Sequence, residues 1–124
     1  MDKHARILFS LAAAYNFAAG LPMLFAMPQF AALTGMTPAH PDPVFVHLSA
    51  VLVLVFGWGY WRIGRDPVFN RPIIHMGLVG KSCVVVAGYA DWLLGNVNWP
   101  FAALISGDLV FALLFYDYLR RRPR

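Results

Sequence analysis

The sequence contains four long apolar runs, separated by short segments that are polar or rich in proline. A helix needs ~20 mainly apolar residues to cross a hydrocarbon core about 30 Å thick. Of the 124 residues, 60% are hydrophobic and only 13% are charged, whereas a soluble domain has about 25% charged residues. The chain is therefore predicted to be a single all-α domain, an integral membrane four-helix bundle.

The helices are expected at about residues 7–27, 44–61, 72–94 and 101–119. Pro28 ends the first, because proline cannot continue the backbone hydrogen-bond ladder. The segment PQFAALTG at 28–35 is too short to span, and it predicts a short helix lying at the outer membrane interface. The segment TPAHPDP at 37–43 has the composition of a turn.

The basic residues indicate how the bundle is oriented in the membrane. Nine of the ten flank alternate ends of the apolar runs: Lys3, Arg6, Arg62, Arg65, Arg71, Arg120, Arg121, Arg122 and Arg124. Since Lys and Arg accumulate in cytoplasmic segments, both termini are predicted to be cytoplasmic. The net charge of +4 thus reflects topology in a lipid bilayer and predicts no nucleic-acid partner, which would require a basic soluble face.

Aromatic residues stand near the predicted helix ends. Tyr60 and Trp61 are placed at the inner end, and Trp92 and Trp99 at the outer end. This placement fits the aromatic belts that position membrane helices at the two interfaces.

Three polar residues interrupt the apolar runs at similar depths. With a rise of 1.5 Å per residue, Lys81 and Asn16 lie ~14 Å from the cytoplasmic face and Asp108 ~11 Å from the outer face. An unpaired charge at the bilayer centre costs at least ~2.5 to 3.5 kcal/mol, so such residues usually find partners inside the bundle. We predict that Lys81 pairs with Asp108 and that Asn16 is able to join them.

Two interpretations of this buried polar cluster stay open. A buried ion pair can serve only to fix the register of the helices, often without a net gain in stability. Ionisable residues inside a membrane are, however, also candidates for proton, ion or substrate sites.

A second candidate feature lies around Pro22, which is predicted to bend the first helix. Together with Asn16 and Gly20, it could open the outer half of that helix and line a small cavity with a free carbonyl group. Gly57 and Gly59 on the second helix, which flank Trp58, would provide the facing wall. Close helix packing is the alternative account of Gly57 and Gly59.

No cofactor or metal is predicted. Cys83 is the only cysteine, which excludes an internal disulfide and a Cys-x-x-Cys redox pair. His47 and His75 are expected at opposite ends of the membrane, whereas a bis-histidine haem needs both at one iron. The histidines and Cys83 show no metal-ligand spacing.

The first half of the chain resembles a known group of proteins. The run from Arg6 through GLPMLFAMPQFAALTGMTP into the glycine-containing second helix resembles the DoxX-like small four-helix membrane proteins of bacteria. These have an arginine-led first helix, then a short amphipathic segment ending near Gly and Pro. The resemblance implies a bacterial inner-membrane protein. This chain departs from the group because its second helix lacks a carboxylate, so a redox-linked or quinone-linked role does not follow from the resemblance.

Three classes of function are compatible with these residues. The favoured class is a non-enzymatic membrane component, because it requires no reactive side chain. Such a component would associate with itself or with a larger complex through helix faces lined by small residues. A carrier for a small solute or ion would use Lys81 and Asp108 as its gate. An enzyme acting on a quinone or a lipid would depend on the same two residues.

Overall fold

Five helices make up the part of the chain that the computed structural model describes, residues 3–35 and 44–122. They are α1 (Lys3–Phe25), α2 (Met27–Thr34), α3 (Val44–Arg65), α4 (Arg71–Leu93) and α5 (Trp99–Arg121). All except α2 are long and apolar enough to cross a membrane. The described residues are helical as predicted, and four of the helices have the length and hydropathy that a span needs. The predicted turn at 37–43 lies outside the described residues.

α1, α3 and α5 extend beyond the apolar runs at one or both ends. The prediction that Pro28 ends the first helix is wrong, because α1 already ends at Phe25 and Pro28 lies in the first turn of α2. α1 already begins at Lys3, and α5 covers Trp99–Arg121 where 101–119 was expected. α3 continues to Arg65, since the Asn70 side chain donates to the carbonyls of Arg62 at 3.0 Å and Asp66 at 2.9 Å. Polar residues can continue a helix beyond the apolar core, because their side chains reach the interface.

The long helices form two pairs, α1 with α3 and α4 with α5. Close approaches at both ends of each pair show that the partners are antiparallel: Gly20 with Leu54, Gly64 with Ser10, Gly88 with Ile105 and Gly77 with Phe115. The pairs meet along α3 and α4 and, more sparsely, along α1 and α5. The start of α1, the α3–α4 turn and the end of α5 therefore share one end of the bundle. The described Lys and Arg residues other than Lys81 lie at this end.

The short helix α2 folds back against the bundle. It has proline in its first turn and ends at Thr34. The following residue, Gly35, caps the helix with a φ of 71°, the left-handed conformation that glycine tolerates. Phe30 and Ala31 are buried, whereas Leu33 is exposed. α2 contacts α1 and α5, so the segment predicted to be a short helix is one.

An aromatic core fills the end of the bundle where α1 begins and α5 ends. The ring centroid of Phe115 on α5 lies 4.8 Å from that of Phe9 on α1 and 5.2 Å from that of Tyr60 on α3. Ile74 of α4 completes this fully buried core. The polar cluster lies beside it, toward the middle of the spans.

Candidate functional site

Lys81 and Asp108 are in direct contact at the middle of α4 and α5. The Lys81 Nζ atom lies 2.5 Å from Asp108 Oδ1 and 3.2 Å from Asn16 Oδ1. The side chain of Lys81 is 4% exposed and that of Asp108 is 17% exposed. The three residues that the sequence placed at similar depth are thus brought together, and the predicted contact is present.

Asn16 links this ion pair to a fourth helix. Its Oδ1 accepts from Lys81, and its Nδ2 donates to the Val53 carbonyl of α3 at 3.0 Å. An amide has a donor and an acceptor on the same group, so the two contacts together fix its orientation. Val53 was not foreseen, because a backbone carbonyl leaves no signal in the side-chain pattern.

Aromatic rings surround the ammonium group. Lys81 Nζ lies 5.3 Å from the ring centroid of Tyr15, 5.2 Å from that of Tyr60 and 5.4 Å from that of Phe111. Such distances are those of cation–π contacts, which strengthen as the site loses water. Three helices supply the rings, so the ammonium sits where the two helix pairs meet.

The role of Tyr60 differs from the one predicted. It was assigned to an interfacial belt, but it is only 1% exposed and faces Lys81. Its neighbour Trp61 remains exposed, as a belt residue should be. Tyr60 and Trp61 are adjacent in sequence, yet the ring of Tyr60 is in the core and that of Trp61 is at the surface. Only the packing of α3 against α4 shows which of the two is buried.

Tyr15 adds a direct link between α1 and α5. Its hydroxyl donates to the carbonyl of Leu104, and its ring lies 5.4 Å from that of Phe111. Tyr15 precedes Asn16 in sequence, and consecutive helical residues point about 100° apart. The two side chains therefore reach the cluster from different directions.

The cavity expected between the first two spans is not supported. A methyl group on Gly20 would lie 2.8 Å from the Leu54 side chain, and one on Gly57 would lie 3.1 Å from Asn16 Cβ. These glycines thus permit close contact of α1 with α3. Trp58 is 52% exposed and lies under the guanidinium of Arg62, so its assignment to a cavity wall is wrong. Pro22 is half-buried, and α1 continues past it to Phe25.

An open recess lies at the other end of the bundle, between α4 and α5. Its volume is about 420 Å³, and Tyr89, Trp92, Trp99 and Ser106 are among the residues that line it. The hydroxyl groups of Tyr89 and Ser106 are 2.7 Å apart. Tyr89 follows Lys81 by eight residues, or ~12 Å along the helix, so the recess is separate from the polar cluster.

The described residues contain no group of three His, Cys, Asp or Glu side chains close enough to hold a metal ion. His47 stands near the start of α3 and His75 near the start of α4. Because α3 and α4 run in opposite directions, the two histidines lie at opposite ends of the bundle. Cys83 is exposed on α4.

No family model, curated protein or solved structure matches this chain. The class of protein therefore rests on the fold and the site. Four helices can cross a membrane by length and composition, which is consistent with a small multi-pass membrane protein. Its interior holds the Lys81–Asp108 ion pair between α4 and α5, and Asn16 of α1 links this pair to α3.

The contribution of Asn16 can be measured with Asn16→Leu, which keeps a similar shape and removes the amide. We expect a loss of about 1.5–3 kcal/mol in the free energy of unfolding, typical of a hydrogen bond to a charged group. SDS titration in mixed micelles, followed by circular dichroism, measures this quantity. Ala14→Leu on the exposed side of α1 is the control, and equal stabilities for the two variants would show that the amide adds nothing.

Proposed function

We propose that this protein is a non-enzymatic component of a bacterial inner membrane, acting as an accessory subunit that associates with itself or with a larger membrane complex. Both termini are in the cytoplasm, and α2 lies at the outer interface. In this proposal the Lys81, Asp108 and Asn16 cluster holds the helix pairs in register.

The observation that carries the proposal is the closure of the Lys81 site. An ammonium group has three N–H donors; here two face oxygen acceptors and aromatic rings surround the remainder. With a side chain 4% exposed, Lys81 has little contact with anything outside the bundle. A charge satisfied in this way supports a structural role.

The proposed orientation is supported by the shared end of the bundle. Lys3, Arg65 and Arg71 lie at helix ends there, together with the basic end of α5. Cytoplasmic segments are enriched in Lys and Arg, so this end belongs in the cytoplasm. Accessibility of cysteines introduced near the termini to a membrane-impermeant thiol reagent, in a Cys83→Ala background, tests this orientation.

The accessory role is tested by isolating the protein from its native membrane in a mild detergent. We expect it to migrate as a particle much larger than its 13.8 kDa plus a detergent micelle, with a constant ratio of partner to protein. Lys81→Met/Asp108→Leu should remain in this particle, because the pair serves only the fold. A monomeric particle, or loss of the complex in a stably folded double variant, would contradict the proposal.

A carrier that uses the Lys81 and Asp108 pair is the second candidate, and one observation favours it. Asp108 keeps 17% of its side chain exposed at mid-span, although Lys81 uses its Oδ1 oxygen. A carboxylate within a span that can be approached from outside the bundle is a common feature of proton and ion pathways.

Liposomes containing only the purified protein distinguish the two candidates. The accessory role predicts that proton and potassium fluxes equal those of empty liposomes. A flux that is present with the wild-type chain and absent with Lys81→Met/Asp108→Leu would establish the carrier and overturn the accessory role.

A further inference from the structure

The turn between α3 and α4 is held rigidly by its own side chains. Asp66 Oδ1 accepts from the backbone N–H of Phe69 at 3.1 Å. Asn70, which is 6% exposed, donates to the carbonyls of Arg62 and Asp66. The conformation of residues 66–70 is therefore determined locally.

This rigid turn displays two apolar side chains. Val68 is 86% exposed and Phe69 is 73% exposed. Apolar side chains at the end of membrane spans are stabilised when they enter the boundary between headgroups and acyl chains. The exposed apolar side chains of this turn are therefore suited to contact with the membrane interface and not with bulk water.

Two guanidinium groups lie on aromatic rings at the same end of α3. Arg62 lies 5.3 Å from the ring centroid of Trp58, and Arg65 lies 5.0 Å from that of Trp61. Both rings are about half exposed. The stacking orients each guanidinium by one face and leaves the N–H donors at its edge available.

These two arginines differ from the basic residues at the end of α5. Arg121 and Arg120 form ion pairs with Asp117, the Arg121 contact being 2.9 Å. Arg71 donates to the Leu119 carbonyl. Within residues 3–35 and 44–122, neither Arg62 nor Arg65 forms an ion pair with a carboxylate. Their charge is compensated only in part by the aromatic rings.

We propose that the end of α3 is a binding site for an anionic phospholipid, whose phosphate is held by Arg62 and Arg65 and whose upper acyl region contacts Trp58 and Trp61. The forked donors of arginine match phosphate oxygens in a bidentate geometry, and anionic membrane surfaces attract basic residues at the span ends. Val68 and Phe69 hold the turn at the depth where the phosphates lie. The site depends on the membrane location alone and not on the accessory role.

The full chain in nanodiscs tests the site. The wild-type Tm should rise by several degrees when phosphatidylglycerol replaces part of the phosphatidylcholine. Arg62→Gln/Arg65→Gln should lose most of that rise while keeping its Tm in pure phosphatidylcholine. The control Arg120→Gln/Arg121→Gln removes the same charge from the same end of the bundle and should keep the rise.

If the two double variants lose the same part of the Tm rise, the effect is one of overall charge, and the proposed site is overturned. A wild-type Tm that does not change with phosphatidylglycerol would overturn it as well. Inorganic phosphate added to pure phosphatidylcholine discs should leave the Tm unchanged; a rise equal to that from the lipid would assign the site to soluble phosphate. If the double variant does not fold, Arg62→Gln and Arg65→Gln are compared singly with Arg120→Gln. Each should lose part of the rise, and retention by both would overturn the proposal.

Discussion

Asp108→Leu is expected to lower the free energy of unfolding by about 3–5 kcal/mol, because removing one partner leaves the other charge buried and uncompensated. Lys81 would keep only Asn16 and the aromatic rings around it. SDS titration in mixed micelles measures the change. Asp117→Leu is the matched control in the same helix, since its ion pair is exposed and pairs of that kind contribute about 0–1 kcal/mol.

The double variant Lys81→Met/Asp108→Leu should recover most of this loss and unfold within about 1 kcal/mol of the wild type. Replacing a whole buried ion pair by apolar residues of similar volume is often neutral or stabilising. A double variant as unstable as Asp108→Leu alone would show that the pair itself stabilises the fold. A double variant close to the wild type in stability would show that Asp108→Leu destabilises the fold because it leaves the charge of Lys81 unpaired.

Gly77→Ala is expected to destabilise the fold by overpacking the aromatic core. A methyl group at this position would lie 2.6 Å from Tyr60 Cε1 and 3.2 Å from Phe115 Cε2, and both rings are fully buried. A ring enclosed on all sides cannot move away without displacing its neighbours. Overpacking of this kind costs about 1–3 kcal/mol.

Gly80→Ala is the control for Gly77→Ala in the same helix. Its methyl group would lie 3.6 Å from the Phe56 ring, an ordinary contact. Both changes gain about the same helix propensity, up to 1 kcal/mol, so the difference between the two variants measures packing alone. We expect Gly77→Ala to be less stable than Gly80→Ala by about 1–3 kcal/mol, and equal stabilities would show that α3 and α4 separate readily.

The two glycines also show how far a sequence pattern reaches. Gly77 stands four residues before Lys81, so helical periodicity predicts that it shares the inward face of Lys81, whereas Gly80 lies off that face. Gly77 faces Tyr60 and Phe115, whereas Gly80 meets only the edge of Phe56. The rings that Gly77 meets are not predicted by this pattern, because they depend on how α4 is rotated against the other helices.

Trp58 and Tyr60 illustrate the same point on α3. Both are aromatic residues near the end of a span, where belts at the interface are expected. Trp58 does lie outside the core, stacked with Arg62, but Tyr60 turns inward to the Lys81 ammonium. The cavity predicted from Gly20, Gly57 and Trp58 was wrong for a related reason, because glycine allows either an opening or a close contact between helices.

The sequence alone determined the four spans and the need for Lys81 to find a partner, since hydropathy and the cost of a buried charge act residue by residue. It also restricted the partner to Asp108 and Asn16, because few polar groups reach that depth. Only the tertiary structure decided the surroundings of the ammonium: the three aromatic rings and the Val53 carbonyl that orients Asn16. These depend on how four helices are rotated against one another, and that rotation is set by the packing of all their side chains together.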